Sequence, residues 1–178
     1  TETWSMNDTD IFRIPNYNTF YLNRSYSRGG GVCILVKEVF ECDLLPELSA
    51  ITTEYEVLAI KIHNTIIIVC YRPANGSVKN FFDNLEEIFD FVNKNRLDLI
   101  YGGDINLNMM KNDSQTIQLD ILLKMNGLVN LINLPTRVTE NSSSLIAIFF
   151  THITPEKVEV GVFAYDLSDH LPIFICAK

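Results

Sequence analysis

Apolar residues in the first 72 positions occur in short runs that are typical of β-strands. Four such runs, rich in Val, Ile, Phe and Tyr, lie at 17–22, 31–36, 57–62 and 65–72. Only His63 and Asn64 separate the third run from the fourth, which is a length typical of a tight hairpin. We therefore expect these strands to pair in the antiparallel sense.

From position 77 onward the hydrophobic spacing changes to that of an amphipathic helix. Its apolar positions are Phe81, Phe82, Leu85, Ile88, Phe89 and Val92. Ser77 is a suitable N-cap residue, and the helix is expected to end near Asn95. A second helix is expected to begin near Asp113 or Ser114 and to end at Gly127. The residues predicted for its apolar face are Ile117, Ile121, Leu122 and Met125.

Four more apolar runs predict strands in the remainder of the chain. They lie at 97–101, 145–150, 158–163 and 172–177. Because many strands are interrupted by only two helices, the sequence favours an α+β sandwich, in which two sheets pack together and helices cover the outer faces. With no linker or repeat, we expect residues 1–178 to form one domain.

Composition and charge narrow the classes of function. Of the 178 residues 47% are hydrophobic, yet no apolar run approaches the roughly 20 residues of a transmembrane helix. A net charge of −8 argues against a large phosphate-neutralising surface. The four cysteines form no CxxC pair, which favours reduced thiols and an intracellular location. The start lacks an initiator Met and signal-peptide features, so we expect it to lie inside a longer polypeptide.

The segment Tyr-Gly-Gly-Asp-Ile-Asn at 101–106 carries the most informative candidate chemistry. A hydrophobic strand ends on two glycines and then presents Asp104 and Asn106. Residues two apart in an extended backbone project to the same side, so these side chains can converge on one metal ion, water or phosphate. A structural Asx turn would account for the same string, and the string alone leaves both interpretations open.

Asp169, His170 and Glu2 are further candidates. A carboxylate beside an imidazole could bind a hard cation or act on a water molecule, while the imidazole transfers a proton or stabilises charge on a phosphoryl oxygen. A solvated loop before an edge strand would give the same pair. Glu2 could bind magnesium, which usually takes one or two carboxylates, although a terminal glutamate is more often exposed.

The order of several short motifs resembles a known family. The motifs are Glu-Thr-Trp at 2–4, Arg-Gly-Gly-Gly-Val at 28–32, Tyr-Arg-Pro at 71–73, Gly-Asp-Ile-Asn at 103–106, Pro-Thr-Arg at 135–137, Ser-Leu-Ile at 144–146 and Ser-Asp-His-Leu-Pro at 168–172. In this order they resemble the endonuclease/exonuclease/phosphatase superfamily. The resemblance is closest to the apurinic-endonuclease-like nicking domain that precedes reverse transcriptase in non-LTR (LINE-type) retrotransposons.

This resemblance implies an α+β fold of the four-layer α/β sandwich type, with two packed mixed sheets and outer helices. It also implies Mg²⁺-dependent phosphodiester hydrolysis, with Mn²⁺ as a possible substitute. Glu2 would bind the magnesium ion, and Asp169 would be a second acidic residue near the metal. His170 would stabilise the pentavalent transition state.

The remaining site residues are also assigned through the resemblance. Asp104 and Asn106 would position and activate the attacking water and hold the scissile phosphate, and Tyr71 would lie beside that phosphate. The residues assigned to substrate binding are Arg72, Asn75, Thr136 and Arg137.

Two departures from the family pattern bear on activity. In the family, Ser-Leu-Ile is followed by an Asp that orients the catalytic histidine, whereas this chain has Ala147. Losing such a carboxylate costs about 10⁴ in rate in serine proteases, and Asp166 is the candidate substitute. The chain also begins at the Glu-bearing strand, so the resemblance predicts an N-terminally truncated domain that lacks the family's first strand.

Three functions therefore stay open. The leading expectation is a Mg²⁺-dependent endonuclease that nicks target DNA in the nucleus, with a reverse transcriptase domain in the same parent polypeptide and no membrane partner. The alternative is a catalytically degenerate remnant or noncatalytic binding module of the same fold. A third possibility keeps the fold but changes the substrate to phosphoinositides or sphingomyelin.

Overall fold

The computed structural model describes residues 1–4, 13–24, 29–165 and 168–177. Arg28 and Asp166, which the sequence analysis used, lie outside the described residues. The helices are α1 (Val78–Asn95) and α2 (Ser114–Met125), and two short 3₁₀ helices lie at Pro46–Leu48 and Pro155–Lys157. The strands are β1 (Tyr17–Leu22), β2 (Val32–Lys37), β3 (Asp43–Leu44), β4 (Ala50–Ile51), β5 (Glu56–Ile62), β6 (Thr65–Tyr71), β7 (Asp98–Asp104), β8 (Val129–Asn130), β9 (Arg137–Thr139), β10 (Ser142–Ser144), β11 (Ala147–Thr151), β12 (Val158–Val162) and β13 (Ile173–Ala177).

A seven-stranded mixed sheet forms the centre of the molecule. Its order is β3-β5-β6-β7-β11-β8, and β4 also pairs with β5. The β5–β6 hairpin is antiparallel, as expected, whereas β6 and β7 run parallel and β11 is antiparallel to β7. The other described strands form antiparallel pairs, β1 with β2, β9 with β10 and β12 with β13.

Alternate residues of the central strands face two different layers. Ile66, Ile68 and Cys70 of β6 are buried in the large core that also contains the inner faces of both helices. Tyr71 and Val69 point the other way, into a smaller cluster with β1 and β2. The α+β sandwich of packed sheets with outer helices is therefore confirmed, because one sheet separates a helical layer from a second layer of strands.

Helix α1 agrees with its sequence prediction. The Ser77 side chain caps it by accepting a hydrogen bond from the Asn80 N–H, and all six predicted apolar positions are buried. Arg96 ends the helix in the left-handed conformation. Among the described residues, no helix is both long and apolar enough to cross a membrane.

The buried face predicted for helix α2 is wrong, although its N-terminus is correct. Asp113 caps the helix through the N–H groups of Gln115 and Thr116. The buried residues are Thr116, Leu119 and Leu123, whereas Ile117, Ile121 and Met125 are exposed. Apolar residues occur on every side of this helix, so their spacing alone does not determine which side faces the core.

Strand β7 extends beyond its predicted end at residue 101 and finishes at Asp104. Gly102 and Gly103 therefore belong to the strand, and Gly103 has a φ of 147°. A Cβ at Gly103 would overlap the Cys70 carbonyl group of β6. Glycine at this position thus allows β6 and β7 to stay paired up to the residue that carries the carboxylate.

We expect Gly103→Ala to lower the free energy of unfolding by about 3 kcal/mol or more, because it adds both backbone strain and a backbone clash. Gly127→Ala is the matched control, since Gly127 also has a positive φ of 67° but has open space around the added methyl group. Its expected cost is about 1 kcal/mol. Urea unfolding followed by circular dichroism measures both, and equal losses would contradict the close-approach argument.

Candidate active site

Tyr71 and Asp104 are the last residues of two adjacent parallel strands. The register of β6 and β7 pairs them directly, and Asp104 also pairs with Ala147 on β11. The carboxyl ends of adjacent parallel strands meet at one edge of a sheet, which is where ligands commonly bind. Asp104, Ala147 and His170 line a cleft of about 540 Å³ at this edge.

The carboxylate of Asp104 is almost completely buried, with 4% of the residue exposed. Its Oδ1 accepts the Asn106 N–H at 2.9 Å, and its Oδ2 lies 3.5 Å from Nδ1 of His170. Burial raises the pKa of Asp104 above its ordinary value, while the Asn106 N–H and His170 act in the opposite direction. A carboxylate whose charged form is disfavoured is a better proton acceptor than an exposed one.

Asn106 follows Asp104 in a left-handed conformation, with a φ of 48°. The hydrogen bond from its N–H to the Asp104 carboxylate forms an Asx turn. The Asx turn considered for the segment at 101–106 is therefore present. The turn is compatible with a chemical role, because it holds Asn106 at the same strand end as the carboxylate. Nδ2 of Asn106 donates to the Arg72 carbonyl oxygen at 2.9 Å, which fixes the amide group.

The segment around Thr136 brings His170 to the start of β11, beside Ala147. The Thr136 hydroxyl accepts the N–H groups of Ile146 and Ala147, and its carbonyl oxygen accepts the N–H of Leu171. Thr136 is completely buried by these contacts. These contacts give Thr136 a structural role, and the substrate contact that the resemblance assigns to it stays a prediction.

Arg137 and Asp169 form an ion pair on the rim of the site, with 2.7 Å between Nε and Oδ2. Both side chains are about two-fifths exposed, at 44% and 41%. The hydrogen bond from Arg137 lowers the pKa of Asp169. Asp169 therefore has a cationic partner in this structure, and its role as a metal ligand stays a prediction.

The two assigned residues that follow Tyr71 have different surroundings. Asn75 is exposed in the turn between β6 and α1, where a substrate contact stays a prediction. Arg72 is 2% exposed, and its guanidinium group bonds to backbone carbonyl groups. The assigned substrate contact therefore differs from the position of Arg72 in the structure.

Glu2 lies beside Tyr71 on the same side of the sheet. The backbone N–H groups of Thr3 and Trp4 donate to the carbonyl groups of Gly31 and Gly30 at 3.2 and 2.9 Å, which fixes this segment. The pKa of Tyr71 is raised first by burial and then by the hydrogen bond that its hydroxyl donates to Glu2. The negative charge of Glu2 also raises the pKa of Asp104, so the two carboxylates share one electrostatic environment.

Glu2 has the donor chemistry that a magnesium site requires. Mg²⁺ usually keeps several waters and binds through one or two carboxylates together with substrate phosphate oxygens. Within the described ranges, no three His, Cys, Asp or Glu side chains gather into a metal cluster. A carboxylate such as that of Glu2 is compatible with a site of few protein ligands, and its role as the magnesium ligand stays a prediction.

A buried ion pair behind Tyr71 was missed by the sequence analysis. Glu56 at the start of β5 is completely buried, accepts the Gly31 N–H at 2.6 Å and pairs with Nε of Arg24. Burial raises the pKa of Glu56, and Gly31 and Arg24 lower it. The Arg24 guanidinium carbon lies 5.6 Å from the centroid of the Tyr71 ring. The sequence feature that could have indicated this pair is the position of Glu56, directly before the apolar run at 57–62.

Comparisons with known proteins address the fold. No protein-family model matches the sequence, and no curated protein matches it. The endonuclease domain of TRAS1, a telomere-specific non-LTR retrotransposon, superposes with a TM-score of 0.70 at 18% identity, covering 93% of this chain and 81% of that domain. An endonuclease/exonuclease/phosphatase family protein from Leptotrichia buccalis gives a TM-score of 0.59 at 14% identity, covering 91% and 72%.

A third similar structure is a mannosyl-6-phosphatase from Bacteroides thetaiotaomicron. Its TM-score is 0.58 at 14% identity, and the match covers 93% of this chain and 78% of the phosphatase. The chain therefore has the fold of the endonuclease/exonuclease/phosphatase proteins, as the motifs led us to expect. The structural similarity to the TRAS1 endonuclease domain agrees with the resemblance that the sequence motifs indicated.

We expect Asp104→Asn to raise the free energy of unfolding at pH 8. Because the pKa of Asp104 is raised above 3.8, ionising it costs more in the folded protein than in the unfolded one. This penalty is present above the folded pKa and disappears as the pH falls through that pKa towards the unfolded value. The gain should therefore vanish near pH 3.

Urea unfolding in metal-free buffer from pH 3 to pH 8 measures this difference. Asp90→Asn on the exposed side of α1 is the control, since it removes one of the excess negative charges without changing a buried group. A gain that is equal for both variants, or that persists at pH 3, would show that ionisation of Asp104 is not the cause.

Proposed function

We propose that this chain is a metal-dependent endonuclease domain that hydrolyses phosphodiester bonds in DNA. The observation that carries the proposal is the buried carboxylate of Asp104 facing His170 in a cleft at the carboxyl end of β7. Asn106 and Tyr71 stand next to Asp104 at the same strand ends. The fold shared with nucleases and phosphatases supports hydrolysis of a phosphate ester.

Each side chain has a separate role in the proposed reaction. Asp104 accepts a proton from the attacking water, a role that its raised pKa favours. The Asn106 amide, held by the Arg72 carbonyl group, orients that water and the phosphate. His170 donates hydrogen bonds to the phosphoryl oxygens as they gain negative charge. Glu2 would hold Mg²⁺ or Mn²⁺, which would supply positive charge to neutralise part of the same negative charge.

The proposed biological setting is target-DNA nicking by a retrotransposon. The order of the motifs and the similarity to the TRAS1 endonuclease domain support this setting. In it, a reverse transcriptase domain of the same polypeptide uses the 3′-hydroxyl at the nick, and the reaction takes place in the nucleus.

A catalytically degenerate domain is the second candidate, and Ala147 is the observation that favours it. Ala147 stands directly opposite Asp104 in the sheet register. The carboxylate that orients the histidine in the family is therefore replaced by a methyl group. Among the described residues, the carboxylate that pairs with His170 is that of Asp104, whose Oδ2 lies 3.5 Å from Nδ1, which is long for a hydrogen bond.

The purified chain is expected to nick supercoiled plasmid in the presence of Mg²⁺ and to lose this activity in EDTA. His170→Ala and Asp104→Asn should each lower the rate by about 10²- to 10⁴-fold, because each removes a group that transfers a proton or stabilises charge. Conversion of supercoiled to open-circular DNA on agarose gels measures the rate. Equal nicking by all three proteins would indicate a contaminating nuclease and contradict the assigned site.

We expect Ala147→Asp to raise the nicking rate about tenfold. Directly opposite residues in an antiparallel pair have their side chains about 5 Å apart, so the new carboxylate would lie beside Asp104 and within the cleft that His170 lines. It can then take over the orientation of the imidazole. Ala147→Asn is the control for size without charge. A fall in rate with Asp would show that Asp104 already orients His170 adequately.

A further inference from the structure

Arg72 is a completely enclosed arginine whose side chain binds only main-chain oxygens among the hydrogen bonds of the described residues. Nε donates to the carbonyl oxygen of Ile105 at 2.6 Å, one terminal nitrogen donates to that of Gly76 at 2.6 Å, and the other donates to that of Asn106 at 2.9 Å. Only 2% of the residue is exposed. The guanidinium group therefore joins two loops that leave the same edge of the sheet.

The main chain of Arg72 adds two more bonds to the same segment. Its N–H donates to the carbonyl oxygen of Asp104 at 2.9 Å, and its carbonyl oxygen accepts Nδ2 of Asn106 at 2.9 Å. Within the described ranges, four of these five hydrogen bonds thus end on residues 104–106. The fifth ends on Gly76, in the turn that carries Asn75.

This arrangement is costly for stability alone. Desolvating a guanidinium cation carries a large penalty, and a buried apolar residue of similar size often gives an equally stable or more stable protein. Within the part of the chain that the structure describes, no carboxylate forms an ion pair with Arg72. Burial lowers the pKa of the Arg72 guanidinium group, and the nearby negative charge of Asp104 acts in the opposite direction.

One of the two loops contains a residue with an uncommon backbone conformation. Asn106 adopts the left-handed conformation, which costs most non-glycine residues roughly 1–2 kcal/mol and which asparagine adopts more readily. A planar cation with donors in a fixed fork can hold several carbonyl groups at defined angles. A lysine has one nitrogen and can reproduce only part of this pattern.

We propose that Arg72 is a positioning residue, which fixes Asn106 next to Asp104 and ties the turn of Asn75 to the same strand ends through Gly76. The catalytic consequence of this role rests on the proposed function. The inference deepens that function, because it gives Arg72 a role in placing Asn106, where the resemblance implied a contact with the substrate. Arg72 acts through Asn106 and does not touch the phosphate.

Two variants of Arg72 test the proposal. Arg72→Lys keeps the charge and loses most of the donors, whereas Arg72→Gln keeps donor atoms without the charge. Arg96→Lys is the matched control, since Arg96 is exposed at the other end of β7 and follows helix α1. Circular dichroism first establishes that each variant is folded at the assay temperature.

The nicking assay is expected to show a kcat about 100-fold lower for Arg72→Lys, with KM for the DNA changed less than threefold. Loss of a positioning residue alters the geometry of the reacting groups but not the affinity for DNA. We therefore expect kcat to fall while KM stays nearly constant. The control variant should retain the parent values. A large rise in KM with an unchanged kcat would overturn the proposal in favour of a direct phosphate contact.

Hydrogen exchange gives a readout that needs no activity. The backbone amides of residues 104–108 should exchange at least tenfold faster in both Arg72 variants, while those of the α1 core should not change. If these amides keep the parent rate in folded variants, Arg72 does not hold the loop and the proposal fails. If the parent chain does not nick DNA, the proposed function fails, and the exchange result still decides the role of Arg72.

Discussion

The parallel pairing of β6 with β7 is the constraint on which the site depends. It aligns Tyr71 with Asp104 and makes both strands end at one edge of the sheet. The close approach requires glycine at position 103, where a side chain would meet the Cys70 carbonyl group. Strand β6 contributes to both hydrophobic clusters. Packing on the two faces of the sheet therefore fixes the position of β6, and through the strand register also that of Asp104.

Several groups at this edge are unfavourable for folding when considered individually. Asp104 and Glu56 are buried carboxylates with raised pKa values, Arg72 is a buried cation, and Asn106 has a left-handed backbone. Natural proteins keep such features where function needs them and offset their cost elsewhere. Here the offset comes from the apolar core between the two helices and the central sheet, which contains 23 buried residues within the described part of the chain.

The sequence was informative wherever one residue type has one structural consequence. Helix α1 has an apolar stripe with a single orientation, and all six of its predicted apolar positions are buried. It was less informative where partners are distant. The carbonyl partners of the Arg72 side chain lie up to 34 residues away along the chain. Strands of two or three residues, such as β3 and β8, are too short to show any hydrophobic period.

Local charges, and not the net charge of −8, decide whether a phosphate can bind at this edge. Arg24 and Arg72 bind internal acceptors, so neither is directed at a ligand. Arg137 stands at the surface but pairs with Asp169. The substrate role of Arg137 and the metal role of Asp169 are thus compatible only if a substrate breaks this pair. An exposed ion pair contributes little to stability, so a phosphate can replace Asp169 at low cost, which leaves that carboxylate free to approach a cation.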